Sequence, residues 1–279
     1  MRTETITSAQ NPKIKNLLLL QEKSKARREQ GLFVVEGRRE LEHCIEAGFN
    51  VRTVFVCPEI SPLRFAPVEM TKGVPSGASS VISSVVEKSQ IIEIPEALYR
   101  KVAYRESTEG IIAEVEYKER KLSDLRLPEN PLIMVLESVE KPGNLGAVLR
   151  SADAAGADAV LICDPLTDLY NPNLIRASIG AVFTVPTVAC SSEDAIAFLQ
   201  DRGIQILTAQ LQDSSLYYNI DMRRGTALVM GTESTGLTDQ WRKAASAHIR
   251  IPMLGRLDSL NVSVSAAILL FEAVRQRQI

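Results

Sequence analysis

Residues 132–150 read LIMVLESVEKPGNLGAVLR, and this stretch decides the fold class. Its first five residues, 132–136, are apolar and predict a buried strand, while the apolar spacing of residues 145–155 predicts a helix. A Pro-Gly pair between them favours a turn, after which the side chain of Asn144 can cap the helix. A strand followed so closely by a helix is typical of the repeating unit of a parallel α/β sheet.

The same alternation continues to the end of the chain. Further apolar runs predict strands at residues 159–162, 204–209, 227–230 and 249–251. The last segment has apolar residues at helical spacing, which predicts an amphipathic helix that closes the domain. These residues are Val264, Ile268, Phe271 and Val274. We therefore expect a parallel α/β domain at residues 132–279.

A charged segment that ends in two prolines separates this region from the N-terminal one. It spans residues 118–131, and we interpret it as a linker. Residues 1–117 then form a smaller α/β domain, because short apolar runs alternate there with a helical pattern. The runs lie at residues 32–35, 51–56 and 91–94, and the helical pattern at 38–47. The Pro- and Ser-rich residues 61–84 are expected to form loops.

The overall composition restricts the function classes. With 279 residues, 45% of them hydrophobic, the chain is long enough to bury a full core. Its formal net charge of −2 gives no general sign of nucleic-acid binding, so any such surface has to be local. Residues 13–28 contain six basic side chains and one acidic one. This cluster indicates either a local RNA surface or an ordinary solvated helix face.

The cysteines and the first residues bear on location. The four cysteines form no C-x-x-C pair, so we expect no metal site and interpret them as buried thiols of a reducing compartment. The N-terminus lacks the apolar run of a secretion signal, and no apolar run has the length of a membrane span. We therefore expect a cytoplasmic protein.

Several common nucleotide-binding and metal-binding patterns are absent from the sequence. No two of the 15 glycines are separated by a single residue, which excludes the G-x-G-x-x-G dinucleotide fingerprint. The phosphate-binding pattern G-x-x-x-x-G-K-[ST] is also absent. With only two histidines, the chain has no H-E-x-x-H zinc motif. Any ligand site therefore has to be built from other loops at strand ends.

The first candidate segment follows the strand at 132–136 and contains Asn144, Gly146 and Arg150. Gly146 would let a ligand or a backbone approach closely, because it has no side chain. Arg150 lies on or near the same helix face as Asn144 and Gly146. Taken alone, this segment is better explained by a helix cap and a surface salt bridge.

Two further segments follow later strands. Residues 231–236 place Glu233 between two glycines, so the loop backbone can lie flat against a planar ligand. Residues 251–263 lead into the last helix through Ser259, Asn261 and Ser263. Three polar side chains near the positive end of a helix exceed what a cap needs, which favours a ligand; a cap with polar packing is the alternative.

In this order and spacing, the three segments resemble the SpoU/TrmH family of RNA ribose 2'-O-methyltransferases, over residues 131–279. Residues 151–157 and 171–180 resemble further segments of that family. Residues 6–15 and 33–37 resemble the substrate-binding domain, similar to ribosomal protein L30e, that many members carry ahead of the catalytic domain.

The resemblance implies the fold, the cofactor and the assembly. The C-terminal domain would have a SPOUT fold, in which the chain threads a loop to form a trefoil knot. S-adenosylmethionine (AdoMet) would bind in the knot, held by backbone groups around Thr208, Gly231, Ile251 and Leu260. The protein would be a homodimer with the active site at the subunit interface.

The resemblance also implies catalytic roles in moving a sulfonium methyl group to a ribose 2'-hydroxyl. In the family, the arginine that matches Arg150 is proposed to assist deprotonation of this hydroxyl. Because a guanidinium almost never loses its proton, positioning of a substrate phosphate is the easier role. Asn144 and Asn261 would orient Arg150 and the ribose. Glu233 and Ser259 would fix the loops or bind the substrate.

In the N-terminal domain, we expect Lys13, Lys15, Arg27 and Arg28 to bind RNA. The L30e-like domain favours rRNA as the substrate, and tRNA is the alternative. A catalytically silent RNA-binding protein of the same fold is a second hypothesis, which the intact motif residues disfavour. An unrelated α/β enzyme that uses an adenine nucleotide is a third, which the absent glycine fingerprints disfavour.

Overall fold

The computed structural model describes residues 3–61, 89–104, 109–232, 235–257 and 259–278. Of the predicted loop segment at 61–84, all but Ser61 lies outside these ranges. The chain forms two compact units. Met1–Lys118 and Tyr170–Arg176 make up the N-terminal unit, and Glu119–Leu169 and Ala177–Ile279 make up the C-terminal unit.

A mixed sheet organises the N-terminal unit. Within the described ranges its strands are β1 (Thr3–Thr5), β2 (Leu32–Glu36), β3 (Val51–Val56), β4 (Gln90–Glu93) and β5 (Ile111–Glu116). Their spatial order is β1-β4-β3-β5-β2, with β1, β4 and β3 parallel and β5 antiparallel to both β3 and β2. The helices are α1 (Pro12–Glu22), α2 (Ser24–Gln30), α3 (Arg38–Glu46) and α4 (Glu96–Val102). The strands and the helix predicted here are confirmed to within one residue at each end.

Helix α1 is defined by its start and by its apolar face. Asn11 Oδ1 accepts a hydrogen bond from the Lys13 amide at 2.9 Å, and Pro12 follows at the first helical position, where a missing N–H costs little. Ile14, Leu17 and Leu20 recur every three residues and are fully buried in the core of this unit.

Tyr170 completes an aromatic cluster of the N-terminal unit. Its ring stacks on Phe33, with ring centroids 4.2 Å apart, and makes edge-on contacts with Phe49 and Tyr117. The Tyr170 hydroxyl donates a hydrogen bond to the Lys118 carbonyl. Because each aromatic pair contributes about 0.5–1.5 kcal/mol beyond its buried area, Tyr170 is a structural part of this unit.

A parallel sheet of seven strands organises the described part of the C-terminal unit. The strands are β6 (Leu132–Glu137), β7 (Ala159–Cys163), β8 (Thr187–Cys190), β9 (Gln205–Ala209), β10 (Ser215–Leu216), β11 (Thr226–Met230) and β12 (Ala247–Arg250). Their order is β10-β12-β9-β11-β6-β7-β8. The predicted parallel α/β fold and its five strands are confirmed. The short strands β8 and β10 were not predicted.

Helices alternate with these strands in the chain, although residues 172–176 of α6 belong to the N-terminal unit. They are α5 (Pro142–Ala154), α6 (Pro172–Ser178), α7 (Ala181–Thr184), α8 (Ser192–Asp201), α9 (Asp239–Ala244) and α10 (Val262–Arg277). The core of the unit contains strand residues such as Ile133 and Leu161 together with Trp241, all with no exposed surface. In the part of the chain that the structure describes, no helix combines the length and hydropathy that a membrane crossing needs.

Helix α10 is present as predicted, but it packs through a different face. Its buried residues are Val262, Ser265, Ala266, Leu269, Leu270 and Ala273, and the helix lies against α5. Val264 and Phe271 of the predicted apolar stripe are each 48% exposed. The buried face contains Ser265, Ala266 and Ala273, whose small side chains permit close helix contact.

Candidate functional site

A cavity of about 470 Å³ lies in the C-terminal unit, at the carboxyl ends of β9, β11 and β12. Its wall combines the residues that directly follow these strands with the start of α10. The lining includes Ala209, Gln210, Gly231, Thr232, Gly236, Arg242, Ile251, Met253, Ser259 and Leu260. This is the edge of a parallel sheet at which ligands bind in α/β proteins.

The loop after β11 is folded back tightly on itself. A Cβ atom at Gly231 would lie only 2.2 Å from the Gly236 carbonyl oxygen, so only glycine fits there. Gly236 has a φ of +67°, a left-handed conformation that glycine adopts without strain. Its amide donates to the Thr232 carbonyl at 3.0 Å. Glu233, predicted as a catalytic residue, lies outside the described residues.

The third motif supplies one wall of the cavity and the start of α10. Ser259 and Leu260 line the cavity, and Asn261 is the N-cap of the helix. Asn261 Oδ1 accepts hydrogen bonds from the Ser263 amide at 3.0 Å and the Ser263 hydroxyl at 2.6 Å. Its Nδ2 donates to Asn144 Oδ1 at 3.2 Å. The first and third motifs, 117 residues apart, therefore meet.

The first motif differs from the prediction at Asn144 and agrees with it at Gly146. Helix α5 begins at Pro142 with Lys141 as its N-cap, so Asn144 lies in the first turn and does not cap the helix. A Cβ atom at Gly146 would lie 2.5 Å from the Ala177 side chain and 2.7 Å from the Ser178 amide. Gly146 is thus required by the close approach of a backbone, which was one of the two predicted reasons.

Arg150 lies on the exposed surface of α5. Among the described residues, none forms a hydrogen bond or an ion pair with its guanidinium. It is not one of the residues that line the described part of the cavity wall. Because no described residue occupies its hydrogen-bond donors, Arg150 can offer them to an anion from outside.

Three of the four predicted cofactor-binding residues line the cavity, and the fourth is buried next to it. Gly231, Ile251 and Leu260 line the cavity. Thr208 is buried one residue before the lining residue Ala209, and its Oγ1 is hydrogen-bonded to His248 Nδ1 at 2.6 Å. The side chain of Thr208 thus links β9 to β12 beneath the cavity.

Several lining residues were not predicted from the sequence. Arg242 and Arg250 place two cations at the cavity, and the described lining contains no carboxylate. Gln210 also lines it, and its Oε1 has no hydrogen-bond partner among the described residues although the atom is buried. Gln210 and Arg250 lie at strand ends and Arg242 lies in α9, but their residue types alone carry no sequence signal.

A buried carboxylate fixes the segment that leads from the β11 loop into α9. Glu137, at the end of β6, accepts hydrogen bonds from the Thr238 amide at 2.9 Å and the Thr238 hydroxyl at 2.6 Å. Trp241 Nε1 donates to Ser192 Oγ at 2.9 Å, and the same Oγ lies 3.5 Å from Glu137. Glu137 was not predicted from the sequence as a functional residue.

The predicted RNA-binding residues of the N-terminal unit are not equivalent. Lys15 and Arg28 are exposed, and Lys13 is half-buried and forms an ion pair with Glu4. Arg27 is only 1% exposed and donates to the backbone carbonyl of Leu20 at 2.7 Å. Arg27 therefore completes the end of α1, and its prediction as an RNA-binding residue is wrong.

Neither unit offers a metal site within the ranges that the structure describes. No group of three or more His, Cys, Asp and Glu side chains there could hold a metal ion. Cys163 and Cys190 have their sulfur atoms 4.0 Å apart, at the ends of the neighbouring strands β7 and β8. The Cys190 neighbour and burial raise the pKa of the Cys163 thiol, so this thiol stays protonated.

Two known protein families together match most of the chain. Residues 131–271 match the SpoU rRNA Methylase family, and residues 11–113 match the MRM3-like substrate binding domain. The first match contains all three motifs. The second contains the exposed cations of α1 and α2.

Curated relatives and solved structures extend this likeness. The 23S rRNA (guanosine(2553)-2'-O)-methyltransferase RlmP of Bacillus subtilis (strain 168) is 28% identical over 95% of this chain and 97% of its own length. The 23S rRNA (guanosine-2'-O-)-methyltransferase RlmB of Salmonella typhimurium is 35% identical over 82% of this chain and 98% of its own. The crystal structure of an AdoMet-bound rRNA methyltransferase from Sinorhizobium meliloti is 29% identical, with a TM-score of 0.84 and 98% of each chain covered.

Proposed function

We propose, because the chain belongs to the SpoU rRNA methylase family, that it transfers a methyl group from AdoMet to a ribose 2'-hydroxyl of 23S rRNA. The family predicted from the three motifs is confirmed by the family match. The relatives described above carry this activity in their names. The observation that carries the proposal is the meeting of the motifs: the second and third line one cavity, and the third is hydrogen-bonded to the first.

The cavity is large enough to hold AdoMet, and the loops that line it can offer backbone groups to it. Its volume of about 470 Å³ lies within the range of pockets that hold small ligands. Gly231, Ile251 and Leu260 would hold the cofactor through their backbones, and Thr208 would support them from beneath. When bound, AdoMet supplies an electrophilic methyl group on its sulfonium sulfur.

The residues proposed to contact the RNA align the ribose. In this role the guanidinium of Arg150 keeps its charge. Arg150 would bind a phosphate of the RNA backbone, because its exposed donors have no described protein partner. The amide of Asn261 is held by Ser263 and by Asn144, so both asparagines are oriented before substrate arrives. Ser259 at the cavity wall and Glu233 in the neighbouring loop complete the proposed catalytic set. Alignment of the two reactants supplies a large share of the rate enhancement.

Replacing Arg150 tests this assignment. Arg150→Ala should lower methyl transfer to rRNA by about 100-fold or more, because a missing electrostatic donor typically costs 10²–10³ in rate. AdoMet affinity, measured by calorimetry, should stay within about twofold of the wild type. Arg126→Ala, a change at an exposed arginine of the same unit, is the matched control and should keep full activity.

Loss of AdoMet binding in Arg150→Ala would contradict the phosphate role and place the residue at the cofactor. Mapping of ribose 2'-O-methyl groups in RNA from cells with and without the gene tests the substrate. A missing methyl group in 23S rRNA is expected, and one missing only in tRNA would favour the alternative substrate.

The assembly and the location belong to the same proposal. The second half of the chain carries an exposed apolar stripe, defined here as Leu254, Leu257, Leu260, Val264 and Phe271. Such a stripe is typical of a protein interface, which supports a homodimer formed by the catalytic domain. The proposal includes a trefoil knot in the catalytic domain and a cytoplasmic location, where rRNA and reduced thiols are found. It also includes the division into residues 1–117, 118–131 and 132–279, except that Tyr170–Arg176 return to the N-terminal unit.

A further inference from the structure

Glu137 is a buried carboxylate that the proposed reaction does not use. It ends β6 and is only 2% exposed. Of the hydrogen bonds that described residues give it, the two short ones both come from Thr238, through the amide at 2.9 Å and the hydroxyl at 2.6 Å. The Ser192 hydroxyl lies 3.5 Å away, has a single hydrogen and lies closer to Asp164, at 2.5 Å. The carboxylate of Glu137 therefore acts mainly on Thr238.

The side chain of Thr238 is not used as its place in the helix would suggest. Thr238 is the N-cap of α9, where a threonine hydroxyl normally accepts a hydrogen bond from an amide of the first turn. Its hydroxyl forms no such bond with the residues of α9, all of which the structure describes, and it donates to Glu137 instead. A buried carboxylate is also unfavourable in itself. The contact between Glu137 and Thr238 thus forms at the expense of a helix cap and of a solvated charge.

Thr238 lies between residues that line the cavity. Gly236 and Leu237 precede it directly, and Arg242 follows it in α9; all three belong to the cavity wall. Glu137 itself is not one of the lining residues in the described part of the wall. The contact with Thr238 therefore attaches the cavity wall to the end of β6 from outside the cavity.

The two hydrogen bonds add direction to the packing of this wall. Leu237 is buried in the core of the unit, but apolar packing is non-directional and leaves the orientation of a loop poorly fixed. Hydrogen bonds from both the amide and the hydroxyl of one residue to one carboxylate fix its orientation. Glu137 is therefore suited to hold the loop after β11 in a single position.

We infer that Glu137 is a positioning residue for the cofactor, which through Thr238 holds the loop after β11 where AdoMet binds. This inference rests on the proposed function. If the loop occupies its binding position for only a fraction of the time, the apparent affinity falls by that fraction, so loss of Glu137 weakens cofactor binding. A bound cofactor holds the loop itself, so methyl transfer continues once the cavity is saturated.

Glu137→Met tests this separation, because methionine has a similar length and removes both acceptor oxygens. The KM for AdoMet and the dissociation constant of S-adenosylhomocysteine, measured by calorimetry, should each rise about 5- to 20-fold. The kcat at saturating AdoMet should stay within about twofold of the wild type. A role in folding alone would reduce the amount of active enzyme, and hence kcat, without changing KM. That result, or unchanged affinity in a folded variant, would overturn the inference.

Substitutions of Thr238 test the same contact from its exposed side, where the core is not disturbed. Thr238→Val removes the hydroxyl bond and should raise the KM for AdoMet about 3- to 10-fold, whereas Thr238→Ser keeps both bonds and should match the wild type within about twofold. Added to Glu137→Met, Thr238→Val should cause no further loss of affinity, because the bond it removes is already absent. Fully additive losses would show that the two residues act separately, and the inference would be wrong.

Thr187→Val is the matched control at the opposite edge of the sheet. Thr187 is buried at the start of β8, and its hydroxyl donates to the Val185 carbonyl at 3.0 Å. The same substitution here should leave the affinity for S-adenosylhomocysteine unchanged. A loss as large as that of Thr238→Val would mean that any lost hydroxyl weakens binding, which would overturn the inference. Failure of the wild type to bind S-adenosylhomocysteine or AdoMet would instead overturn the proposed function.

Discussion

At Gly146, the packing of α5 and the position of the first motif both depend on the absence of a side chain. Gly146 lies two residues after Asn144 on α5, and the chain at Ala177 and Ser178 crosses where its side chain would be. Because the contact involves backbone atoms of residues 177 and 178, a rotamer change cannot relieve it. The close approach therefore fixes the position of the first motif.

Gly146→Ala should destabilise the protein by about 1–3 kcal/mol, the usual cost of an added methyl group in a packed interior. Gly143→Ala in the first turn of the same helix is the matched control, since its Cβ would meet no described atom within 4 Å. It should change the free energy of unfolding by less than about 1 kcal/mol, in the stabilising direction. Equal denaturation midpoints for the two variants in urea would contradict this account.

At the scale of the element, α10 shows how a helix can have two apolar faces. One face packs against α5, while Val264 and Phe271 on the other are about half exposed. Leu257 and Leu260, which precede the helix, are 80% and 39% exposed and extend the apolar surface. A second copy of the chain, presenting the same stripe, would cover this surface by twofold symmetry.

Charges on this stripe should prevent dimer formation. In Phe271→Glu and Val264→Glu, association would bury an unpaired carboxylate, so the dissociation constant of the dimer should rise about 100-fold. Sedimentation at micromolar concentration should then show a dimeric wild type and monomeric variants. Leu166→Glu, at a leucine 64% exposed outside the stripe, should remain dimeric. A monomeric wild type would contradict the proposal.

The sequence predicted β6, β7 and β11 of the parallel sheet well, because their apolar runs are continuous and fully buried. It did not predict which face of α10 is buried, since Val264 and Phe271 suggest a core stripe while Ser265 and Ala266 do not. The sequence indicated that Gly146 and Gly231 are special positions, but it did not show which atoms lie against them. Gln210 was missed because its distinctive property, an Oε1 atom without a hydrogen-bond partner among the described residues, exists only in the folded chain.

At the scale of the whole molecule, RNA binding has to arise from a local surface. The net charge of −2 gives no overall attraction to RNA. Lys15, Lys23, Lys25 and Arg28 are exposed on or beside α1 and α2, whereas Arg27 between them is buried. Lys15 and Arg28, with the half-buried Lys13, remain the proposed RNA contacts of the N-terminal unit.

The double variant Lys15→Ala, Arg28→Ala should bind rRNA fragments more weakly and with less salt dependence. If each cation contacts one phosphate, the slope of log K against log salt should decrease by about 1.4–1.8. Lys101→Ala with Arg126→Ala removes two exposed cations elsewhere and should leave the slope unchanged. If the Lys15→Ala, Arg28→Ala variant shows the same slope as the wild type, these cations belong to an ordinary solvated helix face.

The return of Tyr170–Arg176 to the N-terminal unit sets a condition for building chimaeras of this chain. A graft of the first 118 residues onto the catalytic half of a relative would transplant Phe33 and Phe49 without the tyrosine ring that they pack against. The donated half would then show a bare aromatic surface and tend to aggregate. Exchange of substrate specificity between relatives therefore requires two separate pieces of sequence to be moved together.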